Sequence, residues 1–427
     1  MPLLENVPGR CGYPVIGETS VEFYRDPVKY VNSRNCHHTS EIFLVRFLNN
    51  PTIFISSPWL IKELLNEKFH DFGFGYKAFL QKIYGDNILF HDGAHAETLR
   101  SLFEPLFQDS TKYQQCFDSV IDPFVSSLKG RHDVPIYEEI KHMMTKLCLQ
   151  LFLGLDVSTS EEVVENIQDL ATKHWHGIIS VPISIRVPMG GPSTFAQALQ
   201  AKEKLLVAIR KVIAQSHYQS GCRNVLQSMQ SIEFPDDKTA EQHLLMFVSA
   251  LIPKAFASIL NSFVLAMSGS KKKVWRQRAI ADENFLADAL LEVERLWPPF
   301  FGGRRLALKQ TTVGRYKIPK DYAVVYASHV AHRDEQVFPR PDEFLPERWT
   351  TWNADHRDLV FCFGGGPRCC IGRTFIGNIL RDVAARLLRT YDWEMNPTDQ
   401  EINYKYLPVA RPENATTVKF QSICDVH

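Results

Sequence analysis

The chain lacks most of the features by which common function classes declare themselves. Its 427 residues carry no excess charge, with Lys plus Arg and Asp plus Glu at 48 each. No net field therefore favours nucleic acid, and small neutral or lipophilic partners are expected instead. Gly/Ser-rich tracts, charge blocks and internal repeats are missing too, so one large domain with a sizeable core is expected over residues 1–427. The nine cysteines are scattered apart from the adjacent Cys369 and Cys370. With no secretory leader, they point to free thiols in a reducing, cytoplasmic setting rather than to a disulfide scaffold. The opening MPLLENVPGRCGYPVIGETS is too poor in apolar residues for an N-terminal membrane anchor.

One long apolar run is present, LLMFVSALIPKAFASILNSFVLAM, and it places Pro253 and Lys254 side by side near its middle. A lysine at the centre of a membrane span costs about 2.5–3.5 kcal/mol, and the proline removes a backbone hydrogen bond as well. The run reads as a long helix, near 238–268, buried inside a soluble protein. Further helices are expected near 95–107, 112–130, 137–154, 160–174, 193–217 and 282–296. Alternating EIFLVRF and PTIFISS around LNN predict a hairpin at 41–57, followed by a helix in PWLIKELLNE, and short strands are expected near 311–328. The fold class is mainly α with small β-sheets.

Chemistry concentrates in FCFGGGPRCCIGRTFIGNILRDVAARLLRTYDW. A Gly-rich loop opening a helix can cradle phosphate, but this one lacks G-K-[ST] and carries paired cysteines. A thiolate at the start of a helix is stabilised by unpaired N–H groups and the helix dipole, which suits an anionic metal ligand. The glycines leave room for a flat cofactor.

Phe363, Gly366, Cys370 and Gly372 fit F-x-x-G-x-x-x-C-x-G, the heme-ligand signature of the cytochrome P450 family, with Arg368 two residues before the cysteine. EVER (Glu292, Arg295), PPFFGGRRLALK with Arg305, and FLPERW (Pro346, Glu347, Arg348) match further family marks in order. VPGRCGYPVIGETS is similar to the Pro-rich entry of the family's soluble and retinoid- or terpenoid-oxidising branches. The chain thus resembles this family over nearly its whole length. The resemblance implies one domain holding heme b between a distal long helix and a proximal cysteine loop.

By that resemblance Cys370 is the axial iron ligand and Phe363 packs beneath the porphyrin. Arg100, Arg305 and Arg368 are propionate partners, although Ala96 stands where the family keeps Trp or His, with His95 beside it. Glu292, Arg295 and Arg348 form a buried charge network that keeps the fold and the heme. In the distal helix ALIPK replaces the family's acid and alcohol, so Ala250, Pro253 and Lys254 occupy the oxygen-activating position. That departure allows two readings. Either Lys254 turns aside and water supplies protons to an ordinary monooxygenase, or the enzyme works redox-neutrally or with peroxide, as a hydroperoxide isomerase, dehydratase or peroxygenase. A heme ligand sensor without turnover is a third.

The resemblance also implies a lipophilic substrate, such as a terpenoid, fatty acid or other lipid, beneath lid segments at 71–90 and 177–195. The second of these could touch a membrane peripherally. Arg368, Arg373, Arg381, Arg386 and Arg389 could offer a basic face to a flavoprotein reductase or ferredoxin. A monomer that binds no nucleic acid is expected.

Overall fold

Residues 42–55 show how the first sheet is specified. Apolar residues alternate along Ile42–Phe47 and Asn50–Ile55, so the two strands present one face lined by Phe43, Phe47 and Phe54 and another lined by Ile42, Ile53 and Ile55. Leu48 and Asn49 close the hairpin with φ of 51° and 56°, the backbone of a turn that matches strand twist. In this computed structural model the described residues are 4–15, 17–155, 159, 161–178, 186–187, 191–215, 222–351 and 354–423. Most of the expected 177–195 segment lies outside them.

The chain separates into two compact units interleaved in sequence. The first comprises Met1–Tyr76, Asn261–Arg373 and Gln400–Asn414. Its main sheet runs in the order Ile42–Phe47, Asn50–Ile55, Ala323–Tyr326, Gly303–Ala307, Phe72–Phe74, with Ala323–Tyr326 parallel to Asn50–Ile55 and the other pairs antiparallel. Phe43 and Phe54 stack at 5.3 Å on one face. On the other, Val324 and Tyr326 join a cluster that includes Leu359, Val360 and Phe361, the residues leading into the glycine and cysteine loop. The helix Glu283–Leu296 starts where the Asp282 side chain accepts from Asn284 N–H at 2.9 Å.

The second unit comprises Lys77–Leu260, Thr374–Asp399 and Ala415–His427. It is built from the helices Gly93–Gln108, Gln114–Ser127, Ile136–Leu153, Glu161–His176, Thr194–Gln215 and Asp237–Phe247, with a sheet ordered Tyr391–Met395, Thr417–Ser422, Val134–Pro135. Glu161–His176 packs along Thr194–Gln215. Segment 71–90, expected as a lid loop, instead carries the strand Phe72–Phe74 and the helix Lys77–Tyr84.

The long helix expected over 238–268 is broken. It forms Asp237–Phe247 and Leu251–Ala266, with residues 248–250 between them. Pro253 is the cause. It has no N–H to give the Ser249 carbonyl four residues back, and its ring would crowd that carbonyl in a continuous helix. In the first turn of a new helix that N–H is not required, and Ile252 N–H serves the Ser249 carbonyl at 3.2 Å. Among the described residues Lys238–Ala266 is the one helical stretch long and apolar enough to cross a membrane, and 67% of its most apolar window is buried within the protein.

Candidate functional site

The glycine and cysteine loop is fixed by its own backbone and by the C-terminal end of the Pro58–Leu65 helix. Gly364 and Gly366 have φ of 72° and 63°, the left-handed region that glycine enters without penalty. A Cβ on Gly366 would also fall 1.9 Å from the Leu65 carbonyl oxygen. The tight turn lets Cys369 N–H donate to the Gly366 carbonyl at 2.9 Å and Cys370 N–H to the Phe363 carbonyl at 2.9 Å. Arg373 N–H reaches the Cys370 carbonyl at 3.1 Å, and the helix Arg373–Thr390 begins there. Phe363, Gly366, Arg368, Cys370 and Gly372 are therefore gathered within one loop.

Three thiols sit in or beside that loop, and the structure distinguishes them. Cys370 is exposed, Cys369 is partly covered, and burial together with the Glu294 charge pushes the Cys362 thiol well above its ordinary value. Cys370 is the thiol presented outward, just ahead of a helix whose dipole favours an anion. Arg305 is buried on Gly303–Ala307, with its guanidinium 5.8 Å from the centre of the Tyr326 ring. A Cβ on Gly364 would lie 3.8 Å from the Tyr326 hydroxyl, so Tyr326 connects this strand to the cysteine loop. Arg368 is half-buried, and burial lowers its pKa. An exposed cysteine at the head of a helix and two guanidiniums suited to carboxylates together fit a heme with its propionates.

Behind the loop, Glu292 and Arg295 are fully buried and Arg348 nearly so. Arg295 donates to Glu292 through Nη2 at 2.8 Å and Nε at 3.0 Å, and Arg348 Nε donates at 2.9 Å. Trp349 Nε1–H and Leu345 N–H complete the carboxylate's shell at 2.9 and 3.1 Å. The second positive charge is spread over carbonyls: Arg295 Nη1 donates to those of His332 and Pro341, and Arg348 to those of Pro339 and Arg340. His332 extends the network into the loop. Its Nδ1 pairs with the Arg295 carbonyl at 2.9 Å, and its Nε2 accepts from Phe361 N–H at 2.8 Å. Those contacts define a neutral ring with the proton on Nδ1, and burial pushes its pKa down to about 3. The sequence pattern gave no sign of His332. Trp349 could have been suspected from its place beside Arg348.

Other candidates lie in the second unit. Arg100 is 3.5 Å from Glu104 on its own helix, and His95 packs edge-on against His91 at 4.3 Å. Lys254 holds its ammonium 5.0 Å above the Trp175 ring. Ala250, Pro253 and Lys254 border a cavity of about 510 Å³ formed with the helices Ile136–Leu153 and Glu161–His176. Among the arginines of the basic face, Arg386 is taken by Asp118, Asp122 and Asp382, whereas Arg373, Arg381 and Arg389 are exposed.

The sequence model for Cytochrome P450 matches residues 10–251 and 266–420, leaving unmatched the helical stretch that holds Pro253 and Lys254. Cytochrome P450 26A1 of Xenopus laevis is 24% identical over 91% of this chain and 85% of its own. Beta-amyrin 11-oxidase of Glycyrrhiza uralensis is 22% identical over 96% and 90%. The fold is that of a solved structure, retinoic acid bound cyanobacterial CYP120A1, with a TM-score of 0.83 and 22% identity, covering 98% of this chain and all of that one.

Proposed function

The chain belongs to the cytochrome P450 family of heme-thiolate oxidoreductases, and on that premise we propose that it is a monooxygenase fed electrons by a protein partner, acting on an isoprenoid or related lipid. The observation that carries this reading is Cys370, the outward thiol at the head of an 18-residue helix. In this reading heme b is held by Cys370, with Phe363 packed against it, Gly366 and Gly372 giving it room, and Arg305, Arg368 and Arg100 pairing with its propionates. When bound it supplies iron to activate dioxygen for insertion into an apolar substrate. Glu292, Arg295 and Arg348 keep the loop in shape. Isoprenoids are favoured within the lipids because relatives are named for beta-amyrin and a structural neighbour is described with retinoic acid.

In the same reading, residues 1–427 act as one heme-thiolate domain and as a monomer, soluble or attached peripherally to a membrane. The exposed Arg373, Arg381 and Arg389 would meet an acidic reductase or ferredoxin. Proline at 253 has no group to move a proton, so ordered water would carry protons past Ala250 and Lys254.

Pro253 and Lys254, with the unmatched stretch around them, favour a second reading: an enzyme that isomerises or dehydrates a hydroperoxide, or uses peroxide directly. Anaerobic mixing of the ferric holoenzyme with a lipid hydroperoxide, without reductant, separates the two. The monooxygenase reading expects no conversion under these conditions, together with reductant-dependent oxygenation of an isoprenoid in air. Fast anaerobic conversion would establish the second reading instead. A heme sensor would show turnover in neither experiment.

A further inference from the structure

Two side chains of the first unit are buried with hydrogen-bonding capacity left over. Asn261 is fully enclosed on the largely apolar helix Leu251–Ala266, and neither its amide oxygen nor its amide nitrogen has a partner among the described residues. His329 is 2% exposed, and its Nε2 has none among them either. Arg333 Nη1 lies 3.3 Å from His329 Nδ1 and can only donate, so Nδ1 accepts and the ring proton of neutral His329 is on Nε2. Buried groups of this kind are almost always paired, and where protein supplies no partner an ordered water does.

A chain of polar and aromatic contacts connects the two. Beside Asn261 on the helix, Ser262 Oγ is 3.4 Å from the Tyr404 hydroxyl. The Tyr404 ring stacks with that of Tyr406 at 6.5 Å, and Tyr406 meets His329 edge-on at 4.5 Å. From His329 the contacts continue through Arg333 to Asp342, 3.0 Å away, whose side chain is 81% exposed. All these residues belong to the first unit. Solvent at Asp342 is thus joined to the helix that carries Pro253 and Lys254, and Asn261 follows Lys254 by about two turns of it.

We propose that Asn261 and His329 hold ordered water at the two ends of the Tyr404–Tyr406 segment, and that this water brings protons to the distal helix in place of the missing acid and alcohol. Inserting one oxygen atom of dioxygen and releasing the other as water takes up two electrons and two protons. The protein partner supplies the electrons and the water path the protons. That use of the protons rests on the monooxygenase reading, whereas the water sites rest on the two side chains alone. Asn261 is a positioning residue: it orients water and touches no substrate.

The test compares wild type with Asn261→Leu, close in volume but unable to hold water, as holoenzymes fed by NADPH through a [2Fe–2S] ferredoxin and its reductase, with geranylgeraniol as the isoprenoid probe. Crystal structures should show ordered water on the Asn261 amide and on His329 Nε2, with the first lost in Asn261→Leu. Melting temperature should not fall, because the leucine leaves no polar group unpaired. Product per NADPH should drop at least about tenfold, with hydrogen peroxide released instead and a larger solvent deuterium isotope effect. Turnover driven by added hydrogen peroxide, which brings its own protons, should change little. Asn261→Ser, with a hydroxyl and room for another water, should recover most of the coupling. Absence of ordered water at both side chains, or coupling and isotope effect in Asn261→Leu equal to wild type, would overturn the proposal. Water at both side chains in a wild type that shows no reductant-dependent oxygenation would count against the monooxygenase reading and leave the water sites standing.

Discussion

Glu292 shows how much can depend on one buried carboxylate. Its two oxygens accept from Arg295, Arg348, Trp349 and Leu345. Removing it would leave two arginines buried without their counter-charge, and breaking buried pairs of this kind costs about 3–5 kcal/mol. Glu292→Leu is therefore expected to destabilise the holoenzyme by roughly that amount in denaturant unfolding and to lose heme, with Arg348→Met milder because Arg348 sits at the edge of the network. Equal stability in both variants and wild type would show that the network contributes nothing net. His332 acts through orientation. His332→Phe removes the acceptor for Phe361 N–H, and an unsatisfied buried donor costs about 1–3 kcal/mol. The variant should lower heme retention more than a surface substitution does, as measured by the heme-to-protein absorbance ratio.

At the scale of elements, the cysteine loop is a rigid turn laid against the end of the Pro58–Leu65 helix. Gly366→Ala would have to adopt φ of 63° and place its Cβ 1.9 Å from the Leu65 carbonyl oxygen. It is expected to destabilise the loop and reduce heme occupancy, whereas Gly377→Ala, with open space for a Cβ and helical backbone, should be neutral or slightly stabilising. Comparable heme content and melting temperature in the two variants would contradict this picture. The loop could be read in the sequence because its spacing is local and its glycines are consecutive. The hairpin at 41–57 and most of the helices were legible for the same reason, as apolar periods within one element. The break at 248–250 was not, because apolar spacing runs straight through it and only the proline marks it. Lys273–Ala281 was missed because KVWRQRAIA has no apolar stripe. Bonds of the network behind the loop join residues 29 and 57 positions apart, a separation at which sequence pattern carries no geometry.

For the molecule as a whole, four histidines among the described residues are buried, His174, His243, His329 and His332, and burial lowers the pKa of each, that of His329 well below its ordinary value. Burial pushes His332 down to about 3 and His174 and His243 to about 4. In the unfolded chain each titrates near 6.5, so between that value and the folded one the unfolded state binds more protons. Their contribution to stability is complete above about pH 6.5 and is lost as the pH falls toward 3–4. Each histidine adds a slope approaching roughly 1.4 kcal/mol per pH unit. Melting temperature should therefore drop steeply from pH 7 to 5, and a triple variant with His174, His243 and His332 replaced by Gln should show a shallower drop. An unchanged slope would assign acid sensitivity to other groups. The account as a whole rests on Cys370 as the thiolate that binds heme iron, and the most direct measurement is the absorbance spectrum of the reduced, carbon monoxide-treated holoenzyme beside Cys370→Ala and Cys369→Ala. Wild type and Cys369→Ala should both show the strongly red-shifted Soret band of a thiolate-ligated heme, and Cys370→Ala should lose it. Loss of that band in Cys369→Ala, with its retention in Cys370→Ala, would contradict the account and move the ligand to the neighbouring residue.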